Sequence, residues 1–393
     1  MIMADESQQN GLLSGCQVNI GVEVEKLRVD RLQRISKESF PVDFAPSIQR
    51  FLGREYFEAQ IEFAFPPTTD IVANVDQGEK IIREVARELA PKEYLWPFSC
   101  PPILPSKLSA RSISRIPAAT YPYRLELSHL YDIKQLMNNG VHINVSFDKA
   151  SLADLMAYLG LSKSDDLYIK IAQQFMLHQW LFTYLFGATP ECFSGYLDSP
   201  RLGHPVRSLR SSRLGFPTSV CGDYRSVSHY VRRINSAIRN GDLLKAGQYY
   251  ESVRLKSNSD KSLQGLLKDG ISHLELRAFD LNPCTINGIT ANQLRLVRIL
   301  TIFFATLPRL SDDALEARMK GARRLNGQVA LEDPRQPSFC QQSGLKLLKQ
   351  LERFACLHQF ASEDISCIRY YLQSFLDPGN NLSYQVWRAF FRN

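Results

Sequence analysis

The chain has 393 residues, enough for one large domain or two to three smaller ones. With 44% hydrophobic and 22% charged residues it can bury a core of normal density, so neither disulfides nor a structural metal are needed to hold it. The net charge of +7 comes from dispersed basic residues without zinc-finger, basic-zipper or RNA-recognition patterns, which argues against a nucleic-acid partner. The longest largely apolar run, 299–307, is far shorter than the roughly 18 residues a membrane span needs. The opening MIMADESQQN has no basic or apolar stretch of a signal peptide. The eight cysteines are widely spaced and form no C-x-x-C pair, so they read as reduced thiols of a cytoplasmic protein.

In chain order, strands are expected at 17–29 and 56–65, followed by a helix at 78–89. The four prolines of WPFSCPPILP, 96–105, make that stretch an extended loop. A strand follows at 140–147, then one long buried helix at 165–186 and helices at 226–239 and 258–269. The last strand, 272–280, is stopped by Asn282-Pro283. Beyond it the pattern is helical at 291–307, 312–325, 344–358 and 362–376. Early strands and a late helical block predict an α+β fold in one catalytic domain, strand-rich over 11–290 and helical over 291–393.

Side chains alternate between the two faces of a strand. Val22 and Val24 therefore oppose Glu23 and Glu25, and Ile61 and Phe63 oppose Glu58, Gln60 and Glu62. Val141, Ile143 and Val145 oppose His142, Asn144 and Ser146, while Leu274 and Leu276 oppose His273, Glu275 and Arg277. Strand by strand, this is also what a half-solvated antiparallel sheet would show. A solvated face, however, mixes in lysine and threonine, and here carboxylates dominate. Crowded carboxylates need cations among them, and Mg²⁺ shared with substrate phosphates is a natural one. The face is a candidate Mg-nucleotide floor. Neither a P-loop nor a G-x-G-x-x-G turn is present, nor H-E-x-x-H or G-x-S-x-G.

Eight segments in order carry a resemblance: GVEVEKLRV, EYFEAQIEFAFPP, YLWPFSCPPILP, GVHINVSF, WLFTYLFGATP, VRSLRSSRLGF, YYESVRLK and HLELRAFDLNP. Together, over about residues 17–335, they resemble the bacterial glutamate–cysteine ligases, in particular the N-terminal half of bifunctional glutathione-synthesising enzymes without the ATP-grasp half. The resemblance implies a glutamine-synthetase-like curved antiparallel sheet forming a funnel, with helices outside. It implies ATP and Mg²⁺ (or Mn²⁺) as cofactors and small-molecule substrates, with the γ-carboxylate of glutamate joined to the amine of cysteine through a γ-glutamyl phosphate. It places metal ligands on Glu23, Glu25, Glu55, Glu62, His142 and Glu275, and the phosphoryl-stabilising arginine on Arg277. Arg254 and Lys256 fall near the phosphates, and Tyr123, Arg124, Arg210, Phe216 and Tyr250 on the acceptor side. Phe216 stands where the family has a tyrosine, with Arg213 near it. That departure keeps a second reading open, a related ligase using a different amine. A catalytically dead binding subunit is disfavoured, because binding alone would not need all six ligands. Ser99 and Cys100 read as structural.

Overall fold

The computed structural model describes residues 11–89, 91–105, 108, 112–197, 202–215, 220–258 and 262–392. Seven strands form one sheet: β1 (Val18–Asp30), β2 (Leu52–Arg54), β3 (Gln60–Thr68), β4 (Glu93–Leu95), β5 (Val141–Phe147), β6 (Val253–Lys256) and β7 (His273–Phe279). Their order is β2-β3-β1-β5-β7-β6, with β4 paired to the end of β1, and every one of these pairings is antiparallel. The expected α+β architecture is present.

The apolar alternation of β1, Val18, Ile20, Val22 and Val24, is buried together with Ile61 and Phe63 of β3 and Val141, Ile143 and Val145 of β5. Helices cover this face: α1 (Ile71–Leu89), α3 (Ser164–Leu177), α4 (Gln179–Phe186), α5 (Val227–Arg239) and α6 (Ala291–Thr306), whereas α2 (Tyr121–Leu130) packs into a second apolar cluster. The helix α6 starts on a capping box, Thr290 and Gln293, which satisfies end donors reciprocally. The α7 helix (Asp312–Ala330) packs on α3 and α4, while α8 (Gln341–Leu357) and α9 (Ser362–Leu376) lie behind α6. The α8 and α9 helices pack closely because Gly344 has no Cβ, and one there would stand 2.2 Å from the Phe375 ring.

Three expectations are corrected. The 165–186 helix is two helices. Its backbone leaves helical values at His178 (φ −106°, ψ 15°), whose ring meets the Gln174 carbonyl and stacks on Phe304. The strand expected at 56–65 starts only at Gln60, because 56–59 form a turn. Glu58 therefore leaves the polar face and bonds Arg54, Ser114 and the Phe40 amide. The α1 helix begins seven residues earlier than its charge pattern indicated, at Ile71.

A second apolar cluster lies beneath the sheet's end. It joins Leu27, Val29, Phe57, Trp96, Phe98, Leu127 and Leu209. The Trp96 indole donates to the Cys100 carbonyl and packs on Phe98 and Phe193, which fixes the proline-rich loop. Nearby, Arg28 is fully buried. It makes a two-pronged ion pair with Glu93 at 2.7 and 2.9 Å and donates to the Glu38 and Glu58 carbonyls. Removing one partner of such a pair strands a buried charge. Glu93→Ala is expected to lower the unfolding free energy by about 3–5 kcal/mol. Urea denaturation measures it; a loss of about 1 kcal/mol or less, the value of an exposed pair, would mean the two carbonyls suffice for Arg28.

Candidate active site

The antiparallel register assembles the site. Glu25 faces Glu62 across β1 and β3, and Glu23 faces His142 across β1 and β5. Asn144 faces Glu275 across β5 and β7, and Glu275 faces Arg254 across β7 and β6. Between the Ile143–Leu276 and Val141–Phe279 pairs the register shifts, so Arg277 and Ala278 together oppose His142. Such a bulge redirects side chains at the point where it occurs.

These residues line one cavity of about 790 Å³. Its acidic half holds Glu23, Glu25, Glu55 and Glu62 with His142. Donor atoms of Glu23, Glu62 and His142 lie within 4.8 Å of one another. His142 Nδ1 is 3.3 Å from Glu23 and its Nε2 is 3.8 Å from Glu25. Asn144 donates to Glu23 at 3.0 Å, and the Gly140 amide donates to Glu25 at 2.9 Å. Glu55 arrives from the turn after β2 rather than from a strand.

The carboxylates feel this crowding. Burial, then Glu23 and Glu25, push Glu62 up to about 7. Burial, then Glu62 and Glu25, push Glu55 well above the ordinary range. Burial also raises Glu23, but His142 and Asn144 outweigh it and hold that carboxyl low. All donors are oxygen or imidazole, the set that hard divalent cations accept. The residues fit Mg²⁺ or Mn²⁺.

The other half is cationic and centred on Glu275. Lys256 Nζ lies 3.1 Å and Arg277 Nη1 3.2 Å from its Oε1, and Arg254 Nη1 lies 3.9 Å from its Oε2. Burial opposes ionisation of Glu275, yet Arg277, Arg254 and Lys256 outweigh it and hold the carboxyl far below its usual range. Glu275 is thus ion-paired here and stands apart from the Glu23–Glu62–His142 cluster. Arg254 is anchored by the Tyr249 and Gly247 carbonyls.

Tyr123, Arg124, Arg210 and Tyr250 form the remaining wall of the same cavity. Arg124 commits one nitrogen to the Ser114 and Ile116 carbonyls. Phe216 lies outside the described residues, while the exposed Arg213 lines the cavity. Sequence reasoning missed Lys245, whose Nζ sits 3.4 Å over the Tyr123 ring, and the Glu251–Arg323 ion pair on the wall. Neither had a local signal: Glu251 and Arg323 are 72 positions apart.

A family model described as glutamate-cysteine ligase matches residues 2–243 and 240–323. The chain belongs to the glutamate–cysteine ligase family. Among its relatives, the bifunctional glutathione biosynthesis protein of Lactiplantibacillus plantarum is 28% identical over 380 residues, 94% of this chain and 50% of its own length. That of Streptococcus agalactiae is 30% identical over 329 residues, 81% of this chain and 43% of its own. The chain thus spans about half the length of the curated relatives it matches. Among solved structures, a bifunctional glutathione synthetase from Pasteurella multocida is similar at TM-score 0.83 and 26% identity, over 98% of this chain and 50% of that one. A glutamate–cysteine ligase from Francisella tularensis in complex with AMP shares the fold, with TM-score 0.83 and 19% identity over 95% of this chain and 85% of that one. The fold of this ligase-family chain is therefore that of its family.

Crowded carboxylates predict a metal effect readable without turnover. In EDTA at pH 8, Glu62→Gln is expected to melt higher than wild type, because it removes one like charge from the cluster. Added Mn²⁺ should raise the melting temperature of wild type and leave the variant unmoved. Equal Mn²⁺ shifts in both proteins would exclude Glu62 from the site.

Proposed function

We propose that the protein joins the γ-carboxylate of L-glutamate to the amine of L-cysteine at the expense of ATP, giving γ-glutamylcysteine, ADP and phosphate. The observation that carries this is the division of one cavity into a carboxylate–imidazole half and a cationic half gathered on Glu275. Phosphoryl transfer is largely positioning and charge neutralisation, and this cavity supplies both signs. Family membership, and the AMP in complex with the Francisella ligase of the same fold, support a nucleotide ligand.

Glu23, Glu25, Glu55, Glu62 and His142, with Glu275 at the border, are the residues that would hold Mg²⁺ or Mn²⁺. When bound, such ions neutralise phosphate oxygens and polarise the transferring group. Arg254 and Lys256 hold the phosphates, and Arg277 stabilises charge on the phosphoryl group as it moves. A γ-carboxylate oxygen of glutamate attacks the terminal phosphorus and ADP leaves. The amine nitrogen then attacks the acyl carbon of the γ-glutamyl phosphate, phosphate departs, and the nitrogen loses a proton to solvent. The acceptor wall of Tyr123, Arg124, Arg210 and Tyr250 orients the amine and screens the acyl phosphate from water.

A second reading keeps the chemistry and changes the amine. Arg213 favours it, since this cation lines the cavity and comes three positions before Phe216, where the resemblance expects a tyrosine. Losing a hydroxyl that contacts a carboxylate forfeits about 1.5–3 kcal/mol. We place the reaction in the cytoplasm, consistent with eight free thiols. Among the described residues no helix is long and apolar enough to cross a membrane.

Incubation with ATP, glutamate and cysteine, followed by nucleotide analysis and mass spectrometry, tests the proposal. ADP, phosphate and γ-glutamylcysteine are expected; AMP with pyrophosphate would show an adenylating route instead. Glu275→Gln releases the three cations it gathers and should abolish turnover in a protein that still folds. Saturation curves for cysteine, 2-aminobutyrate and cysteamine with wild type and Phe216→Tyr decide between the two amines. A preference for cysteamine would favour the second reading.

A further inference from the structure

Asp280 lies just past the end of β7, and among the residues assigned above to metal, phosphate or acceptor none is Asp280. It is 2% exposed. Its Oδ2 accepts three hydrogen bonds, from the Ala188 amide, the Thr189 hydroxyl and the Ser208 hydroxyl, each at 2.8 Å. Its Oδ1 is buried without a hydrogen bond among the described residues and faces the Arg210 guanidinium, with Nη1 at 3.9 Å.

Both hydroxyls that donate to Asp280 also accept from the backbone around Arg210. The Arg210 amide donates to Thr189 Oγ1 at 3.2 Å and the Ser211 amide to Ser208 Oγ at 3.0 Å. One carboxylate therefore places the backbone of Arg210 through two hydroxyls and its side chain through charge. Two further contacts complete the slot. Arg210 Nη2 donates to the Arg277 carbonyl at 3.2 Å, and the guanidinium lies against Gly140, where a Cβ would stand 2.1 Å from that nitrogen. A guanidinium has five N–H donors in a rigid fork, so these contacts leave others to face the cavity that Arg210 lines.

We infer that Asp280 is a positioning residue: with the bare Gly140 backbone it aims Arg210 at the amine acceptor. The inference rests on the acceptor-side role proposed for Arg210. Loop stitching alone would employ Oδ2 and leave a second buried carboxylate oxygen without use. The arrangement gives that oxygen a charge to hold. Asp280 contacts Ala188, Thr189, Ser208 and Arg210 and not the side chains of Arg254, Lys256 or Arg277, so its loss should be felt in acceptor binding rather than in phosphoryl transfer.

Steady-state kinetics with ATP, L-glutamate and L-cysteine test this in the full chain. Asp280→Asn keeps an oxygen for the three donors and removes the charge facing Arg210. Gly140→Ala keeps the amide that Glu25 uses and pushes the guanidinium from its slot. Each is expected to raise the KM for cysteine by about 10- to 100-fold, the scale of a misplaced orienting group. The KM for glutamate should stay within about twofold, as should the melting temperature within a few degrees, a split that general loosening would not produce. Adding Asp280→Asn to Arg210→Ala should raise the cysteine KM no further. If Arg210→Ala raises that KM and folded Asp280→Asn does not, Asp280 is not the positioning group, while the acceptor role of Arg210 stands. If Arg210→Ala itself leaves it unchanged, the acceptor role falls and the inference with it. Should Asp280→Asn fail to fold, Gly140→Ala decides by the same criterion.

Discussion

Like charges on adjacent strands repel, and this sheet sets Glu25 directly opposite Glu62 with Glu23 and Glu55 beside them. A folded chain keeps such a cluster only if something else holds the strands. Here the opposite face does so: Val22, Val24, Ile61, Phe63, Ile143 and Val145 are almost wholly buried under helices. A one-residue slip of β1 would exchange these faces, carrying carboxylates into the core. Register is therefore enforced by burial, and the acidic cluster follows from it. Burial first, and then the repulsion that remains, raise the Glu55 and Glu62 carboxyls.

The two halves of the cavity do not simply cancel. Glu275 binds Arg277 and Lys256 closely and Arg254 at longer range, so one carboxylate gathers three cations and leaves an excess of positive charge. The sheet keeps that excess apart from the Glu23–Glu62–His142 cluster, and a 3.4 Å contact between Arg277 and His142 bridges the two. Spread negative charge and divalent cations can then enter together, each meeting the sign it needs, with little rearrangement of the protein. Preorganised charge of this kind acts without the reorganisation cost that water would exact.

Some of this was legible in the sequence and some was not, for physical reasons. Alternation in GVEVEKLRV and GVHINVSF is a period-two signal, so the residue order alone assigns Glu23, Glu25 and His142 to one face. The same signal misled at Glu58, because period two continues formally through a turn while the backbone does not. Composition could not show the helix break at His178, which depends on a stacking partner 126 residues away at Phe304. Glu55, Arg124 and Arg210 have no periodic context and came only from the family resemblance. Lys245, Arg323 and Asp280 came from neither, since their roles exist only once distant segments pack.

That last group shows how the cavity wall of Tyr123, Arg124, Arg210 and Tyr250 is built. Apart from Glu55, the acidic and cationic halves sit on strands, where hydrogen-bond ladders fix each Cα. That wall sits on loops and on α2, above the second apolar cluster, and loops hold position only through specific contacts. Buried polar anchors meet that need. Asp280 ties residues 188, 189 and 208, Ser99 takes the Leu281 amide at 2.6 Å and gives its carbonyl to Asn139, and Glu251 joins Arg323 to the Gly222 amide. Each anchor is buried, so each is costly to leave unsatisfied and strongly prefers one geometry. A floor held by the strand ladders and a wall held by separate buried anchors on loops let the wall vary in sequence while the floor stays fixed by the sheet.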